Sequence, residues 1–169
     1  MYTEMNKELY FNNLKENLSV YYDVLENYNT EFGNIDIYAK FFEKNERYIL
    51  KKEAIIYSQE AFEHVFCKYF ENLSIKDIVE FTKYLEGNIN TYVKPDDNHM
   101  SSILRAVVVT NKEPDQEIIK FIRNYKYYKS FLFGFKGWVN IGLNLVDINN
   151  ESNFYYNKVG KSGKDYFKI

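Results

Sequence analysis

The sequence predicts a three-layer α/β/α domain with a mixed sheet, in the order α-β-β-β-α-β-α-β. Three observations carry this. Segments of alternating apolar and polar residues recur between short polar turns, which is the mark of antiparallel strands. A capped amphipathic helix then leads into ILRAVVVT, a continuous Val-rich run of the kind shown by strands covered on both faces. A second helix separates that run from a last alternating strand. A strand, a helix and a buried strand in succession form a parallel crossover, which is right-handed by rule. Helices on both faces of such a sheet make three layers.

Each element has its own signal. Leu9, Leu14, Leu18, Tyr21, Tyr22 and Leu25 recur near a helical period, so the first helix is expected from Glu4 to Tyr28, with Gly33 ending it. Ile35, Ile37, Ala39 and Phe41 alternate with Asp36, Tyr38 and Lys40 in a half-buried strand. After the turn Glu43 to Glu46, a second strand is expected from Arg47 to Tyr57, and a third from Phe62 to Phe70. Short turns join these into an antiparallel meander. Ser74 is a good N-cap, and Asp77 completes a capping box for the helix carrying Ile75, Ile78, Thr82, Leu85 and Ile89. The buried strand is expected from Ile103 to Thr110. Pro114 suits the first helical position of the next helix, with Ile118, Ile119, Ile122 and Tyr125 on its apolar face. The last strand places Val139, Ile141, Leu143 and Leu145 on one side.

The length of 169 residues suits a single domain with a sizeable core, here 1–169. The polar, Gly-containing segment 149–169 is expected to be a flexible C-terminal extension. Aromatic residues make up 19% of the chain, mostly Tyr and Phe, so the core is expected to be ring-rich. The net charge of -2 excludes a global basic field for nucleic acid. The distribution is uneven: residues 118–169 hold nine basic and three acidic side chains, a net +6, which leaves -8 for residues 1–117. Such asymmetry marks either a contact face or solvated lysines. The single cysteine, Cys67, excludes an intrachain disulfide and a Cys-based zinc site. No signal-peptide core is present and no apolar run is long enough to span a bilayer, so a cytoplasmic protein with no membrane partner is expected. Phosphate-loop, dinucleotide and nucleophile-elbow patterns are missing.

The segments KKEAIIYSQEAFEHVFCKYFENLSIKDIVEFTKYL and LRAVVVTNKEPDQEIIKFI resemble the PD-(D/E)XK nuclease-like fold, most closely its Mrr branch of restriction endonucleases. The resemblance spans roughly residues 50–125. It implies a Mg²⁺ site in which an Asp and a Glu or Gln on adjacent strands hold the ion and activate water. A lysine two residues after the Glu sits on the same strand face and balances transition-state charge. Carried over, that lysine is Lys68, the Asp position is most nearly Glu53, and the Glu position holds Phe66. A phenyl ring cannot ligate a metal. The resemblance therefore implies a non-catalytic protein of nuclease fold with a structural, partner-binding or nucleic-acid-associated role, needing no cofactor. The alternative is a Mg²⁺-dependent DNA endonuclease using Glu53, Lys68 and a migrated carboxylate such as Glu71 or Glu80.

Two further groups stand out. PDDNHMSS gathers Asp96, Asp97 and His99, and a parallel third and fourth strand would bring His99 to the same rim as His64. That pair is a candidate divalent-metal site, and a polar loop is the alternative. FIRNYKYYKSFLFGFKGW interleaves aromatics with Lys126, Lys129 and Lys136, a pattern that fits single-stranded nucleic acid or a packed core with solvated lysines. The partner is thus nucleic acid or another protein, and an unpaired edge at the last strand would allow a homodimer.

Overall fold

The chain opens with α1 (Tyr2–Ser19), then β1 (Asp23–Thr30), β2 (Gly33–Lys44) and β3 (Glu60–Tyr69). Helix α2 (Ile75–Gly87) and the short α3 (Ile89–Tyr92) lead to β4 (His99–Thr110). Then come α4 (Gln116–Asn124), β5 (Tyr128–Ser130), a 3-10 turn, β6 (Trp138–Asp147), β7 (Phe154–Tyr156) and α5 (Lys164–Phe167). This computed structural model describes residues 2–44, 60–97 and 99–168.

The described residues form a seven-stranded mixed sheet in the order β1-β2-β3-β4-β6-β5, with β7 also paired to β6. The β1–β2 and β2–β3 pairs are antiparallel, and β3–β4 and β4–β6 are parallel. Side chains alternate between the two faces. On β4, Leu104, Ala106 and Val108 join the core under α2 and α4, while Val107 and Val109 join the core under α1 and α5. Two apolar layers on one sheet make the α/β/α sandwich, and β4 is buried on both sides as its Val-rich run requires.

Local signals explain much of this. Ser74 caps α2, receiving the Asp77 amide while the Asp77 carboxylate accepts from the Ser74 amide. On α4 the N-cap is Asp115, so the helix starts at Gln116, two residues beyond the predicted Pro114. The first helix is shorter than its periodicity predicts: it ends at Ser19, and residues 23–30 form β1. The later members of the helical pattern, Tyr21 and Leu25, are 65% and 54% exposed. A tight hairpin decides the matter, because Thr30 pairs with Gly33 and Gly33 takes φ 128°, which a side chain resists. The three-stranded meander is therefore present with a different first member, and the predicted strand Arg47–Tyr57 lies outside the described residues. Strand β6 is not an unpaired edge, since β5 covers Trp138–Asn140 and β7 covers Asn144–Val146.

The C-terminal segment packs against the sheet. Asn157 is buried, accepts from the Leu143 and Gly160 amides, and donates to the Ile141 carbonyl. Phe167 inserts beside Leu14 and Leu18 of α1, and the Tyr10 hydroxyl donates to its carbonyl at 2.9 Å. No described helix is long and apolar enough to cross a membrane.

Candidate functional site

Strand β3 presents His64, Phe66 and Lys68 on the face that meets α2 and α3, because residues two apart share a face. Phe66 is fully buried. Its ring lies 5.1 Å from that of Tyr38, 4.9 Å from Tyr92 and 6.5 Å from Tyr84. The Tyr84 and Tyr92 hydroxyls close the cluster at 2.7 Å. Burial, and then the Tyr84 hydrogen bond, push the Tyr92 phenol well above its ordinary pKa. The position that the resemblance aligns with a Mg²⁺ ligand is thus the centre of an aromatic cluster.

Lys68 sits half-buried at the end of the strand. Its ammonium donates to the Asn34 carbonyl and stands 5.9 Å from the Phe32 ring centre and 5.6 Å from that of Phe70. Among the described residues no carboxylate pairs with it. Continuing the β2–β3 register past Ile37 and Cys67 would set Asp36 opposite Lys68. Asp36 instead accepts the Tyr69 amide at 2.8 Å and lies 3.9 Å from Lys7 of α1, on the other face. Glu71 is exposed, and Glu80 pairs with Lys76 along α2. Glu53 lies outside the described residues. Mg²⁺ prefers an octahedral oxygen shell with at least one carboxylate. The row His64, Phe66, Lys68 offers an imidazole, a ring and an ammonium, which do not fit that ion.

His64 borders a cavity of about 410 Å³ whose walls include Tyr28, Tyr38, Lys40, Tyr92 and Lys94. Its Nδ1 is 2.7 Å from the Tyr38 hydroxyl. Burial, and then the positive charge of Lys40, lower its pKa to about 4, while the Tyr92 carbonyl pulls the other way. The imidazole is therefore neutral at pH 7, a hydrogen-bonding group in an aromatic wall. His99 is engaged elsewhere: Nδ1 is 2.7 Å from the Lys136 carbonyl and Nε2 is 2.8 Å from the Ser102 hydroxyl. Glu60 pairs with His99 and His64 with Leu104, so the two histidines stand on the order of 15 Å apart along the strands. Each therefore has its own partners. No group of three or more His, Cys, Asp or Glu that could hold a metal is found among the described residues.

The three candidate lysines of the interleaved segment surround the loop between β5 and β6. Lys126 and Lys129 are exposed, and the Lys129 ammonium stands 5.6 Å from the Phe131 ring centre. Lys136 lies 3.7 Å from Asp97. Phe131 and Tyr125 pack against the core as expected, whereas Leu132, Phe133 and Phe135 point to solvent.

A family model described as a domain of unknown function, DUF8052, matches residues 6–169. The chain belongs to the DUF8052 family. No curated protein and no solved structure matches it.

The DUF8052 chain also holds a polar network that the sequence reading missed. Arg105, on the α1 face of β4, is 1% exposed. Its Nε donates to Glu63 Oε1 at 2.5 Å, Nη1 to Asn144 at 3.2 Å, and Nη2 to Ser162 at 2.9 Å. The Tyr22 hydroxyl donates to the other Glu63 oxygen at 2.9 Å, and burial followed by the Glu63 charge raises the Tyr22 pKa. Glycines make the room: a Cβ on Gly142 would lie 3.2 Å from Arg105 Nη1, and one on Gly163 would lie 2.8 Å from it. The signal was an arginine inside ILRAVVVT, since a charge in a doubly covered strand needs a partner.

Proposed function

We propose that this DUF8052 protein is a non-catalytic member of the nuclease-like fold that works by binding a partner, protein or nucleic acid, and not by cutting nucleic acid. One observation carries the reading: Phe66, two residues before Lys68, is buried among Tyr38, Tyr84 and Tyr92. Among the described residues no metal-binding carboxylate stands beside Lys68, and a lysine alone cannot generate the hydroxide that phosphodiester hydrolysis uses. The strand, helix and parallel strand from β3 through α2 to β4 agree with the resemblance but do not by themselves give an activity. A cytoplasmic location goes with the buried, unpaired Cys67.

The test is Mg²⁺ and Mn²⁺ titration by calorimetry on the full chain, with plasmid cleavage in parallel and Lys68→Ala as control. The expected result is no saturable binding and no cleavage. Saturable binding, with cleavage that Lys68→Ala removes, overturns the reading and assigns a migrated carboxylate, with Glu53 the first to substitute.

A further inference from the structure

The loop between β5 and β6 carries large apolar side chains that the fold leaves unburied. Leu132, Phe133 and Phe135 are 60%, 98% and 86% exposed. Leu132 and Phe133 also take φ of 46° and 55°, a left-handed conformation that side-chain-bearing residues avoid. Backbone bonds hold the turn in this shape. The Phe131 amide donates to the Gly137 carbonyl at 2.9 Å, and the Gly134 and Lys136 amides both donate to the Phe131 carbonyl. Gly137 has φ 77°, and a Cβ there would lie 2.3 Å from the Met100 carbonyl, so the loop base is seated on β4. Strain kept in place by surrounding structure points to a use for the strained residues.

The residues that flank the tip bear on the use. Tyr128 is 62% exposed, Lys126 and Lys129 are exposed beside it, and Lys136 follows, offset by Asp97 at 3.7 Å. We propose that the loop is a membrane-contact element: Leu132, Phe133 and Phe135 enter the interface of an anionic bilayer while Lys126 and Lys129 meet its headgroups. An exposed apolar loop flanked by exposed Tyr and Lys side chains, with the Lys129 ammonium 5.6 Å from the Phe131 ring centre, matches the composition of an interface, where aromatic and basic side chains sit at headgroup depth. The contact is interfacial and does not span, so it needs no long apolar helix. A platform for single-stranded nucleic acid fits less well, since bases stack on successive ring faces along a basic groove. Here a leucine shares the tip with the rings. The apolar insertion and the lysine attraction are each weak, so binding is reversible and falls with salt. This inference does not depend on the nuclease-fold reading.

Trp138 is the only tryptophan and follows the loop directly, which makes it a built-in reporter. The full chain is mixed with phosphatidylcholine vesicles, with or without phosphatidylglycerol, and followed by co-sedimentation and Trp138 emission. Expected is binding to the phosphatidylglycerol vesicles with a blue-shifted Trp138. It should weaken about tenfold or more in Phe133→Ser/Phe135→Ser and severalfold in Lys126→Ala/Lys129→Ala. The substituted side chains are exposed, so unchanged thermal unfolding of each variant separates loss of contact from loss of fold. No binding to the anionic vesicles, or equal binding by the Phe133→Ser/Phe135→Ser variant, overturns the proposal. So does a single-stranded oligonucleotide, or self-association, that takes the loop in place of vesicles and is lost in the same variant.

Discussion

Replacing Arg105 by methionine keeps most of the side-chain volume and removes the charge. The guanidinium is 1% exposed and donates to Glu63, Asn144 and Ser162. Its loss leaves the Glu63 carboxylate, 18% exposed, with only the Tyr22 hydroxyl. Breaking a buried pair from one side costs about 3–5 kcal/mol. The remaining Tyr22 bond and partial solvation of Glu63 argue for the lower end, about 3 kcal/mol. For a domain of this size that lowers Tm by roughly 6–12 °C. Urea unfolding followed by Trp138 emission measures it. The companion variants Glu63→Met and Arg105→Met/Glu63→Met complete a double-mutant cycle. Because the double variant leaves no unpaired charge, it should be more stable than Arg105→Met alone. A coupling of about 2 kcal/mol is expected. Additive effects, or a single Arg105→Met cost below about 1 kcal/mol, would refute the reasoning, because the pair would then be behaving like an exposed one.

Three further outcomes follow from the same contacts. His64 has its folded pKa lowered to about 4 from 6.5, so the unfolded chain binds the proton more readily. Its contribution to stability is present above pH 6.5 and is lost as pH falls toward 4. Its full size is about 3 kcal/mol, and a His64→Gln variant should show a shallower fall in urea midpoint across that window. A Cβ at Gly163 would lie 2.6 Å from the Phe167 ring, so Gly163→Ala should cost about 1–3 kcal/mol by overpacking, read as a lower Tm. Phe66→Glu introduces the carboxylate that the nuclease resemblance expects at this position but buries a charge among three tyrosine rings. It should lose several kcal/mol, and millimolar Mg²⁺ should not raise its Tm. A Mg²⁺-dependent rise would reveal oxygen donors near Phe66.

The sequence made some elements legible because their causes are local. The Ser74–Asp77 box fixes the start of α2 within one turn, and ILRAVVVT reads as a central strand because both faces are apolar. Where the cause is distant, the reading failed. Tyr21 and Leu25 extend a helical period, yet pairing with β2 holds residues 23–30 in a strand. Strands β5 and β7 are three residues each, too short for a periodic signal. A polar tail reads as loose, yet Asn157 satisfies sheet backbone groups and Phe167 fills space beside α1. At the site, spacing alone aligned Phe66 with Lys68. The rings around Phe66 came from β2, α2 and α3, and the partner of Arg105 lies 42 residues away. Neither could be paired from one sequence.

The two faces of the sheet solve the same problem differently. Under α1 the charge on Arg105 is kept and matched by Glu63, and Gly142 of β6 and Gly163 of the tail leave space for it. Under α2 and α3, around Phe66, rings fill the space. Converging carboxylates repel one another and gain their stability only from the ion they hold. An aromatic cluster needs no ion and contributes burial at all times. Around Phe66 the neighbouring Tyr84 and Tyr92 hydroxyls pair with each other, so the polar ends of the rings are satisfied within the cluster. The Lys68 ammonium reaches the rim and donates to the Asn34 carbonyl, so its place there has a structural account. A lysine held in that way says little about catalysis. The unburied apolar side chains of the β5–β6 loop, two of them on strained backbone, have no such structural account, and for that reason they are the stronger guide to what the protein contacts.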